Sequence, residues 1–178
     1  MPLYVRKSRK GDWDRVAKDT PEEVDFPANV LADLLDNENE ISVWEVSDPP
    51  GPEIDTIVAA LHSRGVSNLS DVTLRVISGW MIKDQLGLGM KQTKGDSLDS
   101  KLNGSGKHWV VRTDTVRDVI KLAKGFTHRE AIFHGKAQVM RAFASSLAAG
   151  RISSDAIQPA LLKRLFEDGY LQLVVQQT

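Results

Sequence analysis

The chain has 178 residues, of which 41% are hydrophobic and 26% are charged, with a net charge of −1 and no cysteine. This composition is typical of a globular protein and excludes disulfides, thiolate metal sites and cysteine nucleophiles. The first residues lack the apolar segment of a secretory signal, and no later stretch reaches the roughly 18 apolar residues that a membrane span needs. We therefore expect a cytoplasmic protein that does not enter a membrane, built as a single domain over residues 1–178.

Charged residues of opposite sign are separated along the chain. Residues 1–18 contain six basic and two acidic side chains, a local charge of +4. Residues 19–55 then contain twelve acidic side chains and no lysine or arginine. Residues 114–178 contain nine basic and six acidic side chains, a local charge of +3. The sequence thus predicts an acidic part over residues 1–78 and a basic part over residues 108–178.

The N-terminal part has the pattern of alternating strands and helices. Short runs rich in β-branched and aromatic residues predict strands at residues 3–7, 41–46 and 72–77. Apolar residues at helical spacing predict helices between these strands. The order strand–helix–strand over residues 41–77 favours a parallel pair of strands joined by a right-handed crossover.

Residues 79–107 differ in composition from the rest of the chain. They contain six of the thirteen glycines and five lysines. A connection of this length inside a domain is usually functional or disordered, so we predict a flexible Gly/Lys loop that offers a contact surface. Trp80 lies at the start of this loop, where it could stack on a base or anchor a protein partner.

The C-terminal part is predicted to be mainly helical. A strand at residues 107–112 precedes a helix over residues 114–125. The sequence Thr-His-Arg-Glu at residues 127–130 is a capping box, which predicts that the longest helix begins there and ends near Gly150. A last helix is predicted over residues 159–169.

The predicted fold is of the α+β class. We expect a single mixed sheet of about five strands, formed mainly by residues 1–78 and 108–113. The helices of residues 114–169 are predicted to pack on this sheet as one layer, which makes the C-terminal half helical.

No residues with the spacing of a metal or cofactor site are present. His128 and His134 are six residues apart and would lie on different faces of a helix. Helical projection places Lys136 inside the apolar arc of the longest predicted helix. It is interpreted either as a snorkelling or paired lysine, or as a desolvated lysine with a lowered pKa in a functional cleft near Arg129. If the protein is an enzyme, the candidate catalytic residues are Lys136, Arg129, His128 and His108.

Asp99 and Lys101, with Asp84 or Asp96 before them, have the residue types of a metal-dependent nuclease site. The sequence around them lacks the apolar strand that would hold such a site in place. They are therefore interpreted as loop residues.

Three classes of function remain open from the sequence. The first is a protein-binding regulator, of the immunity-protein, antitoxin or defence-system kind, whose acidic surface docks on a basic partner. Its candidate partner-binding residues are Glu22, Glu23, Asp33, Asp36, Glu38 and Trp80. The second is a nucleic-acid-binding protein that uses the basic helices and the Gly/Lys loop. Its candidate residues are Arg129, Lys136, Arg141, Lys163 and Arg164. The third is a small enzyme of unknown reaction.

Overall fold

The structure is a computed structural model that describes residues 1–8, 12–19, 26–34, 40–47 and 51–172. The strands are β1 (Leu3–Ser8), β2 (Glu40–Val46), β3 (Val72–Ser78), β4 (Met90–Gln92), β5 (His108–Arg112) and β6 (Ile132–His134). The α-helices are α1 (Asp12–Asp19), α2 (Ala28–Leu34), α3 (Pro52–Ala60), α4 (Ser100–Asn103), α5 (Val116–Phe126), α6 (Lys136–Ala148) and α7 (Pro159–Glu167). A π-helical segment covers Met81–Gln85, and a 3₁₀ turn covers Ser154–Ala156.

The six strands form one sheet in the order β4-β5-β2-β1-β3-β6, and each strand is antiparallel to its neighbours. The predicted α+β class, with a single sheet and helices packed on it, is confirmed. The predicted parallel pairing of residues 41–46 with 72–77 is wrong. β2 and β3 run in the same direction, but β1 lies between them, so that Val5 pairs with Trp44 on one side and with Val76 on the other.

Helices cover both faces of the sheet. Successive strand residues point to opposite faces, and Tyr4 and Val5 accordingly belong to two different core clusters. α3, α6 and α7 pack on the face of Val5, whereas α1, α2 and α5 pack on the face of Tyr4. The prediction that residues 114–169 form one helical layer is therefore wrong, because α5 lies on the opposite face from α6 and α7.

Residues 79–107, predicted to be a flexible loop, contain regular structure. They include the π-helical segment, β4 and α4. Ile82, Leu98 and Leu102 are buried in the two cores. A Cβ atom on Gly95 would lie 2.3 Å from the Trp44 ring. Gly95 is therefore needed where the backbone closely approaches the core. In the sequence, such a glycine looks the same as a glycine of a flexible loop.

The predicted helix over residues 127–150 begins later than expected. Thr127 follows the last turn of α5, and its N–H donates to the carbonyl oxygen of Lys124. Residues 132–134 form β6, which pairs with β3, so α6 begins only at Lys136. The capping-box interpretation was wrong because the free edge of β3 provides hydrogen-bond partners for this segment. Within the described ranges, no helix has the length and apolar character to span a membrane.

Candidate functional site

A cavity of about 490 Å³ lies at one end of the central strands. It is formed where the C-terminal end of β1 meets the N-terminal ends of β2 and β3, since neighbouring strands are antiparallel. Arg6, Lys7 and Ser8 line the cavity from β1. Trp44 and Leu61 form apolar parts of its wall. We refer to this space as the strand-end cavity.

Arg6 and Lys7 are adjacent in β1 and therefore project to opposite faces of the sheet. The Arg6 guanidinium donates hydrogen bonds to the carbonyl oxygens of Asp33, near the end of α2, and of Ser42 at 3.1 Å. The Lys7 ammonium donates to the carbonyl oxygen of Leu61, which follows α3, at 3.4 Å. Each cation thus contacts the C-terminal end of a helix, where the partial charge of the helix dipole is negative.

Burial lowers the pKa of Lys7, and the nearby Asp33 carboxylate opposes this effect by raising it. His62, the residue after Leu61, has its pKa lowered to about 4, first by burial and then by the positive charge of Lys7. A desolvated cation interacts more strongly with an incoming anion than a hydrated one does, because less water has to be displaced and the local dielectric constant is lower.

Four residues with hydroxyl side chains also line the strand-end cavity: Ser8, Ser42, Ser70 and Thr73. Ser8 is only 6% exposed, and among the described residues no group forms a hydrogen bond with its Oγ atom. A buried hydroxyl without a partner costs about 1–3 kcal/mol of stability. Such a group at the wall of a cavity is well placed to bond with a ligand.

Two carboxylates complete the cavity wall. Asp33 accepts a hydrogen bond from Trp13 Nε1 at 2.9 Å. Asp71 accepts one from the backbone N–H of Lys136 at 2.7 Å. The site therefore combines hydrogen-bond donors on β1 with acceptors on its rim, an arrangement suited to a ligand that has both an anionic group and donor groups.

The structure locates two of the six predicted partner-binding residues. Asp33 lies in the strand-end cavity, and Trp80, which is 43% exposed, precedes the π-helical segment. The other four lie outside the described residues: Glu22, Glu23, Asp36 and Glu38.

Other acidic side chains of the predicted docking surface contact groups of the same chain. Glu45 accepts a hydrogen bond from Trp109 Nε1 at 2.9 Å, and Glu53 pairs with Lys107. Asp55 lies 3.2 Å from His134 Nε2. Part of the acidic block is therefore balanced within the fold.

The predicted nucleic-acid-binding residues are distributed over α6, α7 and the turn before β6. Lys163 pairs with Glu167 at 3.5 Å, and Arg164 pairs with Asp168 at 3.4 Å, in both cases one helical turn away. Their positive charge is thus partly offset by the carboxylate of Glu167 at the end of α7 and by that of Asp168, which follows it. The remaining three candidates are Arg129 and Arg141, which are exposed, and Lys136, which is partly buried at the first position of α6.

The four candidate catalytic residues do not form a single site. His108 lies in β5, where its Nδ1 atom is 2.7 Å from Thr93 Oγ1 and burial lowers its pKa. His128 and Arg129 precede β6, and Lys136 follows it. β5 and β6 are separated by three strands, which corresponds to about 19 Å at the usual strand spacing of about 4.8 Å.

Asp99, considered above for a metal-dependent nuclease site, has a structural role. Its side chain is fully buried, caps α4 by accepting from the N–H groups of Lys101 and Leu102, and pairs with Arg151 Nε at 2.7 Å. In the described part of the chain, no group of three or more His, Asp and Glu side chains could hold a metal ion.

Arg6 and Lys7 were not predicted as site residues. The available signal was two consecutive cations that directly follow the apolar residues Leu3–Val5 in one predicted strand, but the sequence analysis counted them only as part of a basic block. The ends of α2 and α3 that they contact are distant in sequence, so the sequence did not show that Arg6, Lys7 and Asp33 line the same cavity.

No protein-family model matches the chain, and no curated protein or solved structure matches it.

Proposed function

We propose that this protein binds a small phosphorylated metabolite in the strand-end cavity, with the phosphate group held by Arg6 and Lys7. The observation that carries this proposal is that one cavity at the end of β1 is lined by both cations, which reach it from opposite faces of the sheet, and by the buried Ser8, whose hydroxyl no described residue satisfies. The cavity volume of about 490 Å³ falls within the range of roughly 300–1,000 Å³ that is usual for small-molecule sites.

A phosphate group suits this arrangement better than a planar carboxylate does. Its oxygen atoms point in several directions, so donors on different strands can reach them at the same time. Arg6 and Lys7 would supply charge-assisted hydrogen bonds, which are about twice as strong as neutral ones. Ser8 and Thr73, which pair across β1 and β3, would add hydroxyl donors from adjacent strands.

The remaining wall indicates the character of the rest of the ligand. Asp33 and Asp71 accept hydrogen bonds and would favour hydroxyl or amino groups on the organic part. Trp44 and Leu61 offer a small apolar surface. Asp33 attracts the same cations as the phosphate group does. The ligand must therefore compete with the Asp33 carboxylate for them, and we expect a moderate affinity.

The proposal is tested by calorimetric titration with sugar phosphates and with the corresponding free sugars at constant ionic strength. We expect binding of the phosphates alone. Lys7→Met should weaken it at least tenfold, which corresponds to about 1.4 kcal/mol. Ser8→Ala should weaken it several-fold without lowering the stability of the free protein, because the lost hydroxyl has no described partner. Lys91→Met, an exposed position in β4, is the matched control.

Asp33→Asn distinguishes this proposal from the predicted acidic docking surface. Asparagine keeps an acceptor for Trp13 and removes the negative charge near Lys7. The phosphate proposal therefore predicts an affinity about three to ten times higher. A docking surface for a basic protein predicts weaker partner binding by the same variant. Unchanged phosphate affinity in the Lys7, Ser8 and Asp33 variants would refute the proposed site.

A phosphate group could also come from a nucleic acid, so the titration includes a short single-stranded oligonucleotide. Binding of the oligonucleotide alone, weakened by Arg141→Gln and unchanged by Lys7→Met, would replace the small-ligand proposal with the predicted nucleic-acid-binding function. Binding of the sugar phosphates alone would support the strand-end cavity as the site.

A further inference from the structure

A second cavity, of about 750 Å³, lies at α6 and α7 and differs in chemistry from the strand-end cavity. The C-terminal end of α6, the connection after it, and α7 line this space. Leu147, Leu162, Phe166 and Leu171 contribute partly or fully exposed apolar surface to its wall. We refer to it as the α6–α7 groove.

Two arginines, Arg64 and Arg151, lie at the α6–α7 groove. Arg151 is held by Asp99, whose carboxylate is completely buried. Asp99 Oδ2 accepts from Arg151 Nε at 2.7 Å, while Oδ1 accepts from the N–H groups of Lys101 and Leu102. This contact uses only the Nε donor of Arg151. Throughout the described ranges, no residue accepts a hydrogen bond from its terminal Nη groups.

The position of Arg151 is therefore set before any ligand binds. Its contact with buried Asp99 restricts the rotamers of the side chain, so little conformational entropy is lost when the Nη groups bond with an anion. Arg64 is exposed and forms no ion pair with any described residue, so it supplies a second guanidinium at the same groove. Planar guanidinium groups match carboxylates through paired hydrogen bonds.

We propose that the α6–α7 groove binds an amphiphilic carboxylate, such as a fatty acid, with its carboxylate between Arg64 and Arg151. The apolar chain then covers Leu147, Leu162 and Phe166, which would otherwise contact water. The charge complementarity of two arginines with one carboxylate selects this occupant over a neutral lipid. The proposal concerns a site separate from the strand-end cavity and does not depend on phosphate binding there.

The test uses dodecanoate and dodecanol below their aggregation concentrations, measured by calorimetry or NMR titration. We expect dodecanoate to bind at least tenfold more tightly than dodecanol. Arg64→Gln should reduce this preference to less than threefold. Ala148→Trp places a large side chain in the groove and should abolish binding of both compounds. Arg141→Gln, an exposed position elsewhere on α6, should leave both affinities unchanged.

Arg151→Lys keeps a positive charge for Asp99 and removes the guanidinium, so it should weaken the binding of dodecanoate while the protein stays folded. Equal binding of dodecanoate and dodecanol by the unaltered protein would overturn the proposal. So would dodecanoate binding that persists in the Ala148→Trp variant. The sequence continues from Gln172 into Leu173, Val174 and Val175. If dodecanoate bound only to a chain that ends at Gln172, the proposal would likewise be overturned. That result would indicate that residues 173–175 occupy the α6–α7 groove.

Discussion

His62 is a partly buried histidine whose protonation opposes folding. Its ring packs edge-on against Phe143, with centroids 5.6 Å apart. Its Nδ1 atom lies 3.3 Å from the carbonyl oxygen of Ala59, and the described part of the chain offers no partner to the buried Nε2 atom. Burial and the charge of Lys7 lower its pKa from 6.5 to about 4. The folded protein therefore holds this ring in its neutral form near neutral pH.

We predict that this histidine makes the protein sensitive to acid. Between pH 6.5 and about pH 4, the unfolded chain binds a proton at His62 more readily than the folded chain does. The free energy of unfolding therefore falls as the pH falls through this interval, by up to about 3 kcal/mol from this residue. Urea unfolding measured at pH 7 and at pH 4 tests this. Between these two pH values, His62→Gln should lose less free energy of unfolding than the unaltered protein does.

The matched control for this prediction is His128→Gln, because His128 is exposed in the turn before β6. This variant should lose as much stability on acidification as the unaltered protein does. If His62→Gln and His128→Gln showed the same pH dependence, the acid sensitivity would have to come from other groups.

At the scale of elements, α4 is a short helix that depends on one side chain. The Asp99 carboxylate caps its N-terminus and at the same time pairs with Arg151, which follows α6. Nearby, Asn103 Oδ1 accepts from the Ser97 N–H at 2.8 Å, and Asn103 Nδ2 donates to the Ser97 carbonyl oxygen at 2.9 Å. Polar contacts thus connect a glycine-rich segment to the helical layer.

We predict that Asp99→Asn destabilises the protein by about 2–3 kcal/mol, because the partly buried Arg151 loses its counter-charge. Asparagine is also a good N-cap, so the change isolates the ion pair from the cap. Asp114→Asn is the comparison, since Asp114 and its partner Arg112 are mostly exposed. That variant should change the free energy of unfolding by less than about 0.5 kcal/mol. Equal effects in denaturant titrations would contradict a structural role for the Asp99 pair.

Residues 127–135 show how two elements can compete for one segment. Their local sequence carries the capping signal of a helix, and their apolar residues continue the periodicity of α6. The structure instead places Ile132–His134 in the sheet. Three backbone pairings with β3 outweigh the extra helical turns because they also extend the sheet along an exposed edge. Local propensity alone does not contain this competing partner.

At the scale of the whole molecule, β1 is the centre of the fold. It pairs with β3 along all six of its residues and with β2 along three. Helices cover it on both faces. The same strand supplies Arg6, Lys7 and Ser8 to the strand-end cavity. The proposed ligand-binding residues thus extend from the most enclosed strand of the sheet, which fixes their backbone positions.

We predict that the amide hydrogens of β1 exchange with solvent most slowly, at a rate set by global unfolding. The three-residue edge strand β4 should exchange at least about tenfold faster, because it has one neighbour and can open locally. Hydrogen exchange followed by NMR or mass spectrometry measures this difference. Exchange of β1 at the rate of β4 would show that the N-terminal strand opens independently of the rest of the sheet.

Many individual elements could be predicted from the sequence. The strands at residues 3–7, 41–46 and 72–77 were predicted correctly within a residue or two, as was a helix between the last two of them, which begins at Pro52. These predictions succeeded because hydrophobic periodicity and turn residues act over a few neighbouring positions. The α+β class followed from the same local signals. The runs of like charge were also visible in the sequence. They did not show which carboxylates contact cations or hydrogen-bond donors of the same chain.

Only the tertiary structure decided the strand order, the face on which each helix lies, and the composition of the strand-end cavity. β1 separates β2 from β3, and α5 lies opposite α6, because of pairings between segments that are distant in sequence. Arg6 and Lys7 meet Asp33 and Leu61 for the same reason. By itself, the sequence determined which segments bury an apolar face. The partner of each face is set by the packing of the whole chain, since any apolar face of similar size satisfies the local pattern equally well.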